Sequence, residues 1–158
     1  MLIAHTVGFF AATLKIYQGK EEVARIKTSG WRERADLEIN ENGYRKFFSL
    51  KRDGVFSGSF LLLEMERVIC SAIKPSAFSN RFEISLDGRS YEFRRPSIWS
   101  QRFVLISNGV EVGSVVPRGF FRRRFEIDLP EALPLAVKAF VFWLSLVIFK
   151  REQSAAAS

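Results

Sequence analysis

The chain of 158 residues holds one cysteine and one histidine. Cys70 alone excludes an intrachain disulfide and fits a reducing compartment. With His5 as the only imidazole, a zinc cluster of His and Cys from one chain is excluded. A Ser-His-Asp arrangement would have to draw its base from a residue beside the N-terminus. The stretch Gly54-Val55-Phe56-Ser57-Gly58 lacks the Lys and Ser/Thr that complete a phosphate-cradling loop. Proline is sparse, at five residues. No Gly/Ser linker or low-complexity block divides the chain, so it reads as one domain over residues 1–151 with a small polar tail at 152–158, expected to be disordered. Apolar stretches are few, and one is more apolar than the rest.

The most apolar stretch lies at residues 129–151, LPEALPLAVKAFVFWLSLVIFKR. Asp128 can cap a helix, Pro130 and Glu131 suit a first turn, and Lys150 and Arg151 suit the negative end of the helix dipole. The expected helix covers about 130–151. From 139 to 149 only Ser145 interrupts the apolar residues, so this helix has no polar face and must be buried on all sides. The purely apolar part spans about 16 Å, against ~30 Å for a bilayer core and ~17–20 Å for a strand of ordinary length. The lengths favour the inside of a small barrel over a C-terminal membrane anchor, which stays as the alternative. Lys138 is expected to snorkel to the barrel mouth.

The rest of the chain reads as strands. Residues 14–20 lead into 22–27, 36–40 pass through Asn42-Gly43 into 44–50, 81–86 through Asp87-Gly88 into 89–94, and 103–107 through Asn108-Gly109 into 110–116. Asn-Gly and Asp-Gly supply the positive φ of two-residue hairpin turns. Residues 60–66 and 68–74 form another pair, and 122–128 is a last strand feeding the helix. Phe82, Ile84 and Leu86 alternate with Arg81, Glu83 and Ser85, the period of a strand with one buried face. The apolar residues 1–14 lack the charged start of a signal peptide and read as a first strand that helps close the barrel. The expected fold is mainly β: a closed antiparallel barrel of about twelve strands around a central C-terminal helix. Closure removes exposed edges. Trp31 and Trp99 lie in connections, where an aromatic plugs a barrel end.

The hairpin Phe82-Glu83-Ile84-Ser85-Leu86-Asp87-Gly88-Arg89-Ser90-Tyr91-Glu92-Phe93, and the strand Phe125-Glu126-Ile127-Asp128 running into the apolar helix, resemble the tubby C-terminal-like superfamily, which includes phospholipid scramblases and LURP-one-related proteins. The resemblance implies a twelve-stranded barrel around a hydrophobic helix and, by analogy with tubby proteins, binding of phosphoinositide head groups by basic residues. No acid-rich run flanks the helix, so calcium-dependent scrambling is not implied.

The net charge is +7, which favours an anionic partner such as a membrane surface or nucleic acid. The densest basic cluster gives the head-group candidates Arg94, Arg95, Arg118, Arg122 and Arg124, and Phe120 and Phe121 are the candidates for membrane contact. The same residues also read as a charged outer face paired with Glu92, Glu126 and Asp128, with the Phe pair capping the barrel. Nucleic acid is a weaker alternative, because no motif for it is present. Glu64 and Glu66, read as sharing a strand face, are the nearest thing to paired carboxylates. A solvated strand face explains them better than catalysis does, so no enzyme activity is expected. Neither is a cofactor or a metal.

Overall fold

The structure is a computed structural model that describes residues 1–7, 13–29, 32–54, 58–119 and 123–157. Twelve strands precede one helix: β1 (Leu2–Val7), β2 (Thr13–Gln18), β3 (Glu21–Thr28), β4 (Arg34–Glu41), β5 (Tyr44–Asp53), β6 (Ser59–Glu64), β7 (Arg67–Ile73), β8 (Arg81–Leu86), β9 (Arg89–Arg94), β10 (Phe103–Ser107), β11 (Val110–Arg118), β12 (Arg124–Asp128) and α1 (Leu135–Ala157). Each strand pairs antiparallel with the next, and β1 closes the barrel on β12 through Leu2 opposite Ile127 and Ala4 opposite Phe125. The apolar N-terminal stretch supplies the first strand, which closes the barrel on β12, and 13–18 supplies the second.

Helix α1 lies inside the barrel. Val137, Phe140, Phe142, Leu144 and Ile148 are buried on its different faces, as an all-apolar helix requires. Around its middle, β6, β8, β10 and β12 each place a buried phenylalanine inward near their start: Phe60, Phe82, Phe103 and Phe125. Phe60 meets Phe82 at 5.5 Å and Trp143 at 5.9 Å, Phe103 meets Phe149 at 5.5 Å, and Phe125 meets Phe142 at 5.0 Å, all edge to face. Rings of that geometry fill a cylinder around a helix while their quadrupoles attract. Among the described residues no helix is long and apolar enough to cross a membrane.

The helix begins and ends later than its sequence indicates. Pro134 disfavours helical backbone at Leu133, and its own carbonyl accepts the first helical bond, from the Lys138 N–H at 3.0 Å. Asp128 therefore remains at the end of β12, and Pro134 takes the capping place. Beyond Arg151 the alanine-rich stretch stays helical to Ala157, in keeping with the propensity of alanine.

The two ends of the barrel differ. Five two-residue turns lie at the end where the chain enters the helix, at 19–20, 42–43, 65–66, 87–88 and 108–109. At the other end, where α1 emerges, longer connections join β1 to β2, β3 to β4, β5 to β6, β7 to β8, β9 to β10 and β11 to β12. Met65 and Glu66 both have positive φ, 48° and 67°, so they form the turn itself and Glu66 no longer shares a strand face with Glu64.

Candidate functional site

Two long connections are copies of one another. Lys74-Pro75-Ser76-Ala77-Phe78-Ser79-Asn80-Arg81-Phe82 and Arg95-Pro96-Ser97-Ile98-Trp99-Ser100-Gln101-Arg102-Phe103 match type for type, within the longer repeat of 74–88 by 95–109. Proline turns the chain out of the strand and cannot donate to the sheet ladder. A tight turn follows in each copy: the Ser79 N–H donates to the Ser76 carbonyl at 3.2 Å, and the Ser100 N–H to the Ser97 carbonyl at 3.1 Å. The aromatic residue takes the third position of both turns and projects into solvent. Phe78 is 98% exposed, Trp99 88% and Ile98 75%. Trp99 thus does not plug the barrel. Trp31 lies outside the described residues.

The cation that opens each copy does the plugging instead. The Arg95 side chain is only 7% exposed, and its guanidinium lies over the rings of Phe103 and Phe149, at 5.0 and 5.1 Å, and meets the Glu152 carboxylate at 2.8 Å. Arg95 is therefore committed to holding the end of α1 and does not face a head group. Its counterpart Lys74 is buried, with its ammonium donating to the Ala77 carbonyl at 2.8 Å. Burial, and then the nearby Arg151, lower the Lys74 pKa. Arg151 donates to both oxygens of Glu33, one at 2.8 Å, and lies over the Phe60 ring, while Arg52 stands 3.5 Å from the same carboxylate. These contacts tie the emerging helix to the β3–β4 and β9–β10 connections and close the mouth.

Outside this plug runs a basic collar. Three pairs of like charges face each other across neighbouring strands at this end: Arg81 and Arg94, Arg118 and Arg124, and Arg34 and Lys51. Like charges directly opposite on a sheet repel. Two of the pairs have acids at hand. Arg94 meets Glu92 at 2.8 Å, Arg81 lies 3.8 Å from Glu83, and Arg118 meets Glu126 at 3.0 Å. The third does not: Arg34 and Lys51, with Lys27 and Arg32 beside them, make no ion pair among the described residues. Lys27, Ser29, Arg32, Arg34 and Asp36 line one cleft of about 370 Å³ on the outer wall.

Of the residues singled out in the sequence, Arg118 and Arg124 are thus brought together, Arg94 stands two strands away and is ion-paired, and Arg95 is buried. Arg122, Phe120 and Phe121 lie outside the described residues. Phe78, Ile98, Lys27, Arg32, Arg34 and Lys51 were not singled out. The matched loops could have revealed the first two. The others gain meaning only from strand register.

At the opposite end Lys138 is half-buried and reaches the mouth, as its long side chain allows, in a cleft of about 510 Å³ shared with Glu21, Glu41 and Glu131. Among the described residues no group of three metal-ligating side chains occurs. Burial pushes the Cys70 thiol up to about 12, so it is not a poised nucleophile. No protein-family model, no curated protein and no solved structure matches this chain.

Proposed function

We propose that the protein is a non-enzymatic module that binds anionic phospholipid head groups, of the phosphoinositide kind, with the long-loop end of its barrel. The observation that carries this reading is the cluster of Lys27, Arg32, Arg34 and Lys51, four cations against the single acid Asp36 opposite Lys27, in which Arg34 and Lys51 oppose each other and make no ion pair among the described residues. A phosphate group placed there relieves the repulsion and accepts the forked donors of two guanidinium groups. The distribution of charge points the same way. Among the described residues Arg32, Arg34, Lys51 and Arg124 lie toward the long-loop end without an ion pair, whereas Glu66 and Asp87 outnumber Lys20 in the short turns. Each cation near an anionic surface contributes about 1 kcal/mol. The resemblance to the tubby-like superfamily adds its weight at the level of class, since fold alone does not specify function.

Liposome co-sedimentation tests the reading. Binding is expected to vesicles that contain phosphoinositide, to weaken as salt rises because the attraction is screened over ~8–10 Å, and to fall in Arg34→Gln/Lys51→Gln. Equal binding to neutral and anionic vesicles would overturn it. Salt-sensitive binding to single-stranded nucleic acid without any lipid binding would assign the same basic surface to that partner.

A further inference from the structure

We infer that the two repeated connections are insertion tips: Phe78, Ile98 and Trp99 enter the interfacial region of a bilayer, and the barrel stands on the membrane by its long-loop end with the two-residue turns pointing away. The inference rests on the membrane reading for its occupant, and adds to it an apolar anchor and an orientation.

Three observations carry it. The first is exposure at a repeated position. A turn is ordinarily built from Gly, Asn, Asp or Ser at its tip, yet both copies place an aromatic ring there, almost wholly in water and stacked on no other described ring. Placing Phe in one copy and Trp in the other, at the same position of the same turn, retains an aromatic character that the turn itself does not require.

The second is the asymmetry of the chain. Among the described residues, Phe78 and Trp99 lie in connections at the long-loop end, and none of the five two-residue turns at the opposite end contains an aromatic residue.

The third is what surrounds the tips. Arg81, Arg94 and Arg102 lie on the strands and strand ends beneath them, paired with Glu83, Glu92 and Glu111, so each apolar tip rises from a rim of charged side chains. The two connections are separated by β8 and β9, on the order of 10 Å around the rim at ordinary strand spacing. Aromatic rings on such tips suit a bilayer interface, where Trp is enriched because its ring is apolar and its N–H is polar, and where nearby cations attract anionic lipid.

The test is fluorescence of Trp99 in a Trp31→Phe chain, with Trp143 in the barrel core as the remaining, inaccessible indole. Vesicles of phosphatidylcholine and phosphoinositide, with bromine on the acyl chains, are added to the folded protein. The expected result is quenching and a blue shift of the emission, both absent in Trp99→Ser. Phe78→Ser and Trp99→Ser are each expected to weaken vesicle binding about tenfold or more, the scale of a withdrawn aromatic side chain, with unchanged melting temperatures because the rings touch little of the fold. Binding without quenching, and undiminished in both variants, overturns insertion and leaves head-group binding standing. Quenching by neutral vesicles as strong as by anionic ones supports insertion and overturns the anionic reading. No binding to either kind of vesicle overturns both.

Discussion

The turn between β6 and β7 allows a stability change to be worked from the backbone. In three of the five short turns the two residues are Asn-Gly or Asp-Gly, with φ of 52° and 80° at Asn42-Gly43, 46° and 75° at Asp87-Gly88, and 49° and 77° at Asn108-Gly109. Met65 and Glu66 adopt the same left-handed pair, at 48° and 67°. A residue with an ordinary Cβ is disfavoured there by roughly 1–2 kcal/mol. Asn tolerates the conformation and Gly is free of the penalty, although Gly gives back ~0.4–1 kcal/mol through the larger entropy of the unfolded chain. The Met65 side chain is 93% exposed, so removing it sacrifices almost no burial. Met65→Asn/Glu66→Gly should therefore stabilise the protein by about 1.5 kcal/mol. With an unfolding entropy of roughly 0.33 kcal/mol/K for a chain of 158 residues, the melting temperature should rise by about 4–5 °C. Calorimetry and circular-dichroism melts measure it, and a urea series with an unchanged slope shows that the gain is in stability. A melting temperature that stays level or falls would refute the reasoning. The native turn would then draw its stability from its own side chains, and the φ values would carry no cost.

Phe142 is wholly buried against Phe125, so Phe142→Asp strands an unpartnered carboxylate in the barrel and removes an aromatic anchor; several kcal/mol out of a typical ~5–15 should abolish the cooperative melt, and a near-wild-type transition would rule out a central helix. Leu146→Asp should cost less, because Leu146 is only half-buried. Cys70 should resist thiol reagents at pH 8, where a thiol raised to about 12 is ionised in roughly one molecule in ten thousand, and should label at once on unfolding; fast labelling of the native protein would contradict its burial.

Much of the architecture is legible in the chain because it rests on short-range chemistry. The all-round apolar run at 139–149 has only an enclosed place to go, and it lies enclosed. Asn42-Gly43, Asp87-Gly88 and Asn108-Gly109 turn where their backbone preferences say they must, and the alternation at Phe82, Ile84 and Leu86 puts those side chains inside. Local chemistry also explains the misses. Met65-Glu66 carries no turn signature, and Pro134 rather than Asp128 caps the helix because of how the segment from Leu129 to Pro134 folds over the barrel rim, with the Leu133 N–H donating to the Pro130 carbonyl at 3.0 Å.

The electrostatic layout depends on contacts that sequence neighbours do not announce. Arg95 looks like the adjacent surface residue Arg94, yet closure of the barrel and emergence of α1 beside it bury its guanidinium between two rings and against Glu152. Arg151 meets Glu33 from the far end of the chain. Arg34 and Lys51 oppose each other only because β4 and β5 pair in one register, and a shift by one residue would turn both to the other face. Composition and periodicity determined by themselves that this chain makes a strand barrel around a buried helix, since burial and turn preference act over a few residues. Which of its many arginines are structural and which are left facing solvent was decided by the tertiary structure, because a charge is satisfied or stranded by whatever the fold brings within a few ångströms of it.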